Sequence, residues 1–511
     1  MVSFVMERDA PHVVVVPSSS SGHAIPFLQF ARRLAAEGIV TTVVTTDRHV
    51  RELEKTVGST DLTSQGEPLR ILGLRDKKVE ISHDEWRRQV REVPEEKLEV
   101  MRLLREAVTD VGSPQSWKLR GVAPASPPVC ILHDMFVPWA QEAAENLQIE
   151  SHLLYVSAAA ALSVDLESNR LFDEGRLPIT RERRDMVFSD IPGLSPIQAL
   201  DFSVPYLMPA MYEWMRKYYS RFRRTDVILV NTFYDMEKPV LDALRNQVIG
   251  SPDMQAKCIL EIGPLLPESH VNEDTVEVEA EERDPCILWL DRQAPNSVLY
   301  ISFGSFATLE APQLLELAMG LEASDCSFLW IVRSPNAHGM SAASGSPEPV
   351  TEFLPPGFEE RMKGRGMCYS GWAPQTRILK HPAVGGFLSH CGWNSTLETV
   401  CTGVPMLAWP ITAEQHLNRR FLVDTVKVAI ELKGNPYTKE ELEGNVVRPA
   451  RFIPKGEIEK KVRILMQDAE GESVRQNMQN LREKSREAGA PEGSSRRNFE
   501  AYVNLLHKKI H

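Results

Sequence analysis

The chain is 511 residues long, about three times a common single-domain length, so two large domains are expected and a lone small module is excluded. Hydrophobic residues at 42% and charged residues at 25%, with 29 Gly and 35 Pro, exclude a disordered or collagenous chain. The 58 Lys and Arg against 70 Asp and Glu leave a formal charge of -12, which argues against nucleic acid as a partner.

Met1 to Ala10 carries Glu7, Arg8 and Asp9 and lacks the apolar core of a signal peptide, so a cytoplasmic location is expected. Pro11 leads into His12-Val-Val-Val-Val-Pro17, a β-branched run of the kind found in a strand buried on both faces. Ser18 to Gly22 reads as a small-residue loop, Phe27 to Ala36 as an apolar-faced helix stopped by Gly38, and Ile39 to Thr46 as a second strand. This order opens a parallel, doubly wound sheet. Val129–His133, Ser151–Val156 and Val227–Asn231 are further strands, and Leu153 to Val164, the most apolar stretch, is too short to span a bilayer. The segment from Phe202 to Phe222, dense in aromatics and Met, reads as helix packing or as the lining of a flat apolar pocket.

The pattern breaks at Ile262-Gly-Pro-Leu-Leu-Pro267, and the acidic stretch to Arg283 reads as a linker. A second α/β run follows: helix Pro285–Leu290, strand Val298–Phe303, a Gly304-Ser305 turn, helix Ala311–Leu321 and strand Phe328–Val332. Ser334 to Pro349 reads as a surface loop, and Phe499, Tyr502, Val503 and Leu506 form one apolar stripe near the end of the chain. The cysteines at 130, 258, 286, 326, 368, 391 and 401 are scattered without a C-x-x-C pair, which fits buried thiols in a reducing compartment.

Several chemistries lose their support. The only G-x-G, Gly364 and Gly366, has Tyr369 where a dinucleotide fingerprint needs its third Gly, and no P-loop, D-x-D or H-E-x-x-H motif occurs. No cofactor and no metal site are expected. Gly385-Gly-Phe-Leu-Ser-His390-Cys-Gly392-Trp-Asn-Ser-Thr396 reads instead as an apolar strand end, a glycine turn and a helix start. Free amides and the partial positive charge of such a helix start would seat a diphosphate, with His390 adding a hydrogen bond. Glu398, one turn on, could accept from ribose hydroxyls, and Trp372 offers a flat face for a base.

Trp372-Ala-Pro-Gln375, His381-Pro-Ala-Val-Gly385, His390-Cys-Gly-Trp-Asn-Ser395, Glu398, Gly403-Val-Pro405, Trp409-Pro410 and Glu414-Gln415 together resemble the plant secondary product glycosyltransferase signature. Gly22-His23, Asp134-x-Phe136, Asn231-Thr-Phe233, Gly263-Pro-Leu265, Trp289-Leu-Asp291 and Ser302-Phe-Gly-Ser305 extend the likeness to UDP-dependent glycosyltransferases over nearly the whole length. The resemblance implies an α/β fold of GT-B architecture, with two facing Rossmann-like domains and a cleft between them. Residues 1–265 would bind acceptor, 266–284 would link, 285–485 would bind UDP-sugar, and a helix in 486–511 would return to the first domain. It implies that Trp372 stacks on uracil, that the backbone of Ala373 reads its edge, and that Gln375 and Glu398 hold ribose. Ser305, His390, Asn394 and Ser395, with Gly392 in the same turn, would take the phosphates. Trp393, Glu414 and Gln415 would contact the sugar, with Ser157 at its far end, and Gln415 favours glucose.

A hydroxyl is a poor nucleophile and needs a base that titrates near neutrality, so histidine suits the task. On the same resemblance His23, just past the first strand, is the base, and Asp134, ending another strand of that sheet, fixes its tautomer. The blander readings are a solvated loop for His23, a helix cap for Asp134, packing for Trp372 and Trp409, and close-packed turns for Gly385, Gly386 and Gly403. Thr412 departs from the family by standing where an aromatic residue often precedes the closing acid-Gln pair, and the charged stretch Asp84 to Arg105 matches no landmark. The expected activity is inverting, metal-independent transfer of glucose from UDP-glucose to a hydroxyl of a flavonoid, another phenolic or a terpenoid, by a monomer without a membrane anchor. C-glycosylation of a phenolic ring, an inactive nucleotide-sugar-binding protein and, more distantly, a nicotinamide-dependent oxidoreductase are the alternatives.

Overall fold

A computed structural model of the chain describes residues 10–18, 20–46, 49–50, 69–74, 128–267, 284–304, 307–335, 350–435, 447–448 and 451–510. Ser305, most of the acidic linker, most of the Ser334 to Pro349 loop and the whole of Asp84 to Arg105 lie outside them. Among the described residues the strands are β1 (His12–Val16), β2 (Val40–Thr46), β3 (Leu69–Leu74), β4 (Pro128–His133), β5 (Glu150–Tyr155), β6 (Val187–Phe188), β7 (Ile197–Gln198), β8 (Val227–Val230), β9 (Cys258–Glu261), β10 (Val298–Ser302), β11 (Ser327–Ile331), β12 (Gly366–Tyr369), β13 (Val384–Ser389), β14 (Met406–Ala408) and β15 (Ala429–Glu431). They build a seven-stranded sheet in the order β3-β2-β1-β4-β5-β8-β9, a six-stranded sheet in the order β12-β11-β10-β13-β14-β15, and a small β6-β7 ladder. All ladders of the two large sheets are parallel.

Parallel sheets bury both faces, and β1 shows how the valine run meets that demand. Val13 and Val15 join Phe27, Phe30 and Leu34 on one side, while Val14 and Val16 join Trp139 and Ala140 on the other. In the second sheet Leu299 and Ile301 of β10 face one core and Val298 and Tyr300 the opposite one.

Helix α1 (Ser21–Ala36) starts earlier than the expected Phe27 and runs through Pro26, which corrects the loop reading at Ser21 and Gly22 and places His23 in a first helical turn. Helices α2 (Ala159–Asp173) and α3 (Pro209–Phe222) pack together on the first half. Of the aromatic segment, Phe202, Tyr206, Tyr212, Met215, Tyr219 and Phe222 are core, and the buried Asp165 of α2 accepts from the Tyr155 and Tyr206 hydroxyls at 2.7 and 2.6 Å. Trp409 is core as well, edge-on to Phe303.

In the second half, α4 (Trp393–Thr402) follows β13 and α5 (Gln415–Arg420) follows β14. The last helix, α6 (Ser494–His507), brings Phe499, Tyr502 and Leu506 into the core of the first sheet, where the Tyr502 hydroxyl meets His152 Nδ1 at 2.8 Å. One apolar cluster spans both halves, running from Tyr155, Phe202 and Tyr206 to Trp393, Leu397 and Leu417.

The glycines before His390 serve close packing. A Cβ on Gly385 would stand 2.6 Å from the main-chain carbon of Asn296 and closer still to its oxygen. Because that neighbour is backbone, Gly385→Ala is expected to cost about 1–3 kcal/mol, the usual penalty of overpacking, seen as a lower denaturation midpoint.

Candidate active site

In an open parallel sheet, ligands gather where chains leaving adjacent strands diverge to opposite faces. In the first sheet that point lies between β1 and β4, in the second between β10 and β13. His23 and Asp134 flank the first, whereas Gly304 and the turn His390 to Gly392 flank the second.

Asp134 is fully buried, and its Oδ2 lies 2.7 Å from His23 Nδ1. Its Oδ1 accepts from the Phe136 amide at 2.8 Å, and its own amide donates to Val16 O at 3.1 Å, which ties the end of β4 to β1. A carboxylate accepting at Nδ1 requires the proton there and leaves the Nε2 lone pair as the basic position. Burial works against a charged imidazole, yet the charge and hydrogen bond of Asp134, helped by the charge of Glu414, hold the His23 pKa above its ordinary 6.5.

Across the cleft, β13 delivers a turn in which Cys391 adopts φ 64° before α4 begins, with Gly392 at its N-cap. Thr396 is the first residue of α4 whose amide finds a carbonyl within the helix, Gly392 O at 2.9 Å, so the amides of Trp393, Asn394 and Ser395 have none there. With no acidic residue in that first turn, the helix start suits an anion. His390 lies against it: a Cβ on Gly304 would stand 2.7 Å from its Nε2, and one on Gly392 would also collide. Among the described residues His390 Nδ1 is buried without a partner, and burial pushes the imidazole down to about 4, leaving a neutral ring.

Gln375 Nε2 donates to Glu398 Oε2 at 2.6 Å and to Ser395 Oγ at 2.9 Å, while the Tyr300 hydroxyl donates to Gln375 Oε1 at 3.2 Å. Burial raises the Glu398 carboxyl to about 7, against the pull of Gln375. Trp372, beside Ala373 in the turn after β12, is 53% exposed, which is unusual for so large an apolar ring and leaves its face open for stacking.

At the opposite end Glu414 Oε1 accepts from Ser157 Oγ at 3.1 Å, so the expected sugar-contacting pair does meet. Three of the expected ligand-contacting side chains have partners within the protein. The Trp393 ring is buried and its Nε1 donates to Asn231 O at 2.7 Å, so the indole belongs to the seam between the halves and only the main-chain amide is left at the helix start. Gln415 Oε1 is taken by the amides of Ile411 and Thr412 at 2.9 and 2.8 Å, so only its Nε2 remains to meet a ligand. Asn394, expected to face a phosphate, donates instead from Nδ2 to Gly22 O at 2.6 Å, one residue from His23.

Sequence reasoning missed Tyr300 and Arg333. Arg333 stands just past β11, donates to Gly304 O at 3.2 Å and has its pKa lowered by burial. A lone arginine directly after a buried strand was the available signal, because it falls at the carboxyl edge where ligands collect.

The chain has relatives among known proteins. Residues 259–448 match the family model described as UDP-glucoronosyl and UDP-glucosyl transferase. The chain is 32% identical to UDP-glycosyltransferase 72B1 of Arabidopsis thaliana over 93% of this chain and 92% of that one. It is 34% identical to a hydroquinone glucosyltransferase of Rauvolfia serpentina over 95% of both. Among solved structures, Phytolacca americana UGT2 complexed with UDP-2fluoro-glucose and pterostilbene superposes with a TM-score of 0.76 at 27% identity, over 98% of this chain and 100% of that one. Removing the exposed ring in Trp372→Ala is expected to weaken UDP binding by about 1–3 kcal/mol, the range measured for loss of one base-stacking aromatic, as read by titration calorimetry.

Proposed function

The chain belongs to the UDP-glycosyltransferases, and from that premise we propose that it moves glucose from UDP-glucose to a hydroxyl of a small phenolic acceptor with inversion at the anomeric carbon. It is an enzyme of hexose transfer with GT-B architecture. The observation that carries the finer reading is the His23–Asp134 pair at 2.7 Å, standing across the cleft from the amide-rich start of α4. The phenolic class is supported by the relative named for hydroquinone and by the neighbour that binds pterostilbene, both small phenols. In this reading residues 1–265 hold the acceptor, 285–485 hold the nucleotide sugar, and the tail helix within 486–511 braces the first domain.

The acceptor O–H faces His23 Nε2. As its oxygen bonds to the anomeric carbon, the proton passes to Nε2 and the bond from that carbon to the diphosphate oxygen breaks. Asp134 stabilises the imidazolium that forms, without taking the proton itself. Charge growing on the departing UDP is met by the amides of Trp393 to Ser395 and by the neutral His390, while Gln375 and Glu398 hold the ribose. Attack from the face opposite UDP inverts the anomeric configuration. The proposed reaction takes no metal, so EDTA is expected to leave turnover unchanged. Among the described residues no helix is long and apolar enough to cross a membrane.

A screen of UDP release over phenolic and terpenoid acceptors with UDP-glucose, UDP-galactose and UDP-xylose tests the reading directly; no release with any pair would overturn it. His23→Ala is expected to fold and to lose about 10²–10⁴ in kcat, the usual contribution of a general base, with Asp134→Ala less severe. Because the base must be neutral, kcat/KM is expected to fall as pH drops through a value above 6.5. Asp134→Asn removes the charge that raises this value, so the acid limb should move to lower pH.

A further inference from the structure

Pro26 lies inside α1 and has no N–H, so the helical bond that would end four residues back, on the carbonyl of Gly22, is missing. That carbonyl is not idle. Asn394, the second residue of α4 and 372 positions further along the chain, donates to it from Nδ2 at 2.6 Å. Gly22 precedes His23, and Gly22 and His23 share the turn closed by His23 and Ala24 amides on Ser20 O, both at 2.9 Å. The side chain that the family resemblance assigns to a phosphate therefore grips the turn that carries the imidazole.

We propose that Asn394 is a positioning residue for His23: by occupying the Gly22 carbonyl that Pro26 leaves without a helical donor, it sets the first turn of α1 against the nucleotide-sugar half of the cleft. This rests on His23 being the base. Gly22 is exposed, so water can replace Asn394 at the carbonyl and no buried group is left unsatisfied. The bond thus contributes placement of the turn and little to folding. A base misplaced by about 1 Å slows transfer without weakening UDP binding, which separates this role from that of a phosphate ligand.

The test compares wild type, Asn394→Ala, Pro26→Ala, their double variant, and Asn394→Ala in a His23→Ala background. Asn394→Ala is expected to lower kcat by about tenfold, a typical consequence of losing one positioning hydrogen bond, with UDP affinity by calorimetry within about twofold of wild type. Pro26→Ala restores a helical donor to Gly22 and should lower kcat in the same direction while the unfolding temperature does not drop, since Ala suits a helix interior better than Pro. The double variant should be no slower than the slower single variant, because both act through one bond. In the His23→Ala background the Asn394 substitution should cost nothing further. A loss of UDP affinity that accounts for the whole defect, multiplying effects in the double variant, or an undiminished cost without His23 would each overturn the proposal. Wild-type turnover in His23→Ala alone would instead remove the base on which it stands.

Discussion

A buried carboxylate is the constraint from which the cleft is built. Asp134 has no exposed surface, and a carboxylate in that position must be matched by donors or give up its charge. The Phe136 amide and the His23 ring supply two. Meeting the second requires α1 to begin within reach of the end of β4, which explains why helix appears at Ser21 on a stretch whose small residues and proline argue against it. The imidazole is thereby held in one tautomer, and the geometry of the acceptor side follows from where β1 and β4 part.

Backbone conformations that side chains resist concentrate around the opposite wall. Cys391 and Ala413, neither of them glycine, take φ of 64° and 51°, and Gly304 takes 76°. The two non-glycine residues each cost of order 1 kcal/mol, and all three flank a group the site uses: His390 beside Gly304 and Cys391, Glu414 and Gln415 beside Ala413. The surrounding core holds them in place. Leu397 and Val400 of α4 and Leu417 of α5 are buried in the same apolar cluster as Tyr155 and Tyr206 of the first half, so the turns are clamped by packing rather than by local preference.

That shared cluster also explains why the seam carries polar struts beside its apolar centre. Asp201, nearly fully buried, receives Arg419 at 2.7 Å and Arg420 at 3.2 Å, and Arg448 donates to the carbonyls of Leu200 and Phe202 at 2.8 Å. The Trp393 indole on Asn231 O and Ser157 on Glu414 lie nearer the site. Contacts of this kind fix register between two rigid sheets, because each needs a particular atom pair and not merely burial.

Strands β1, β2, β4, β5, β8, β10 and β11 were legible as runs of Val, Ile and Leu bounded by breakers, and the donor box by residue types whose chemistry demands a helix start. Strands β12, β14 and β15 were not, since Gly366–Tyr369, Met406–Ala408 and Ala429–Glu431 lack the Val-Ile-Leu-Val run of the equally short β8 and pair beside β11, β13 and β14 respectively. The aromatic segment around α3 shows the same limit, for composition could not say whether its rings line a pocket or fill a core; packing against α2 and the hydroxyl bonds to Asp165 decided that most are core. The residue sequence alone determined which groups are available: an imidazole, a carboxylate, an amide-rich turn, a proline that withholds a donor. Tertiary structure decided which of them meet, as with Trp393 turned into the seam and Gly22 O joined to Asn394, because the partner of a free hydrogen-bonding group is set by proximity in space and these partners are separated by 162 and 372 residues.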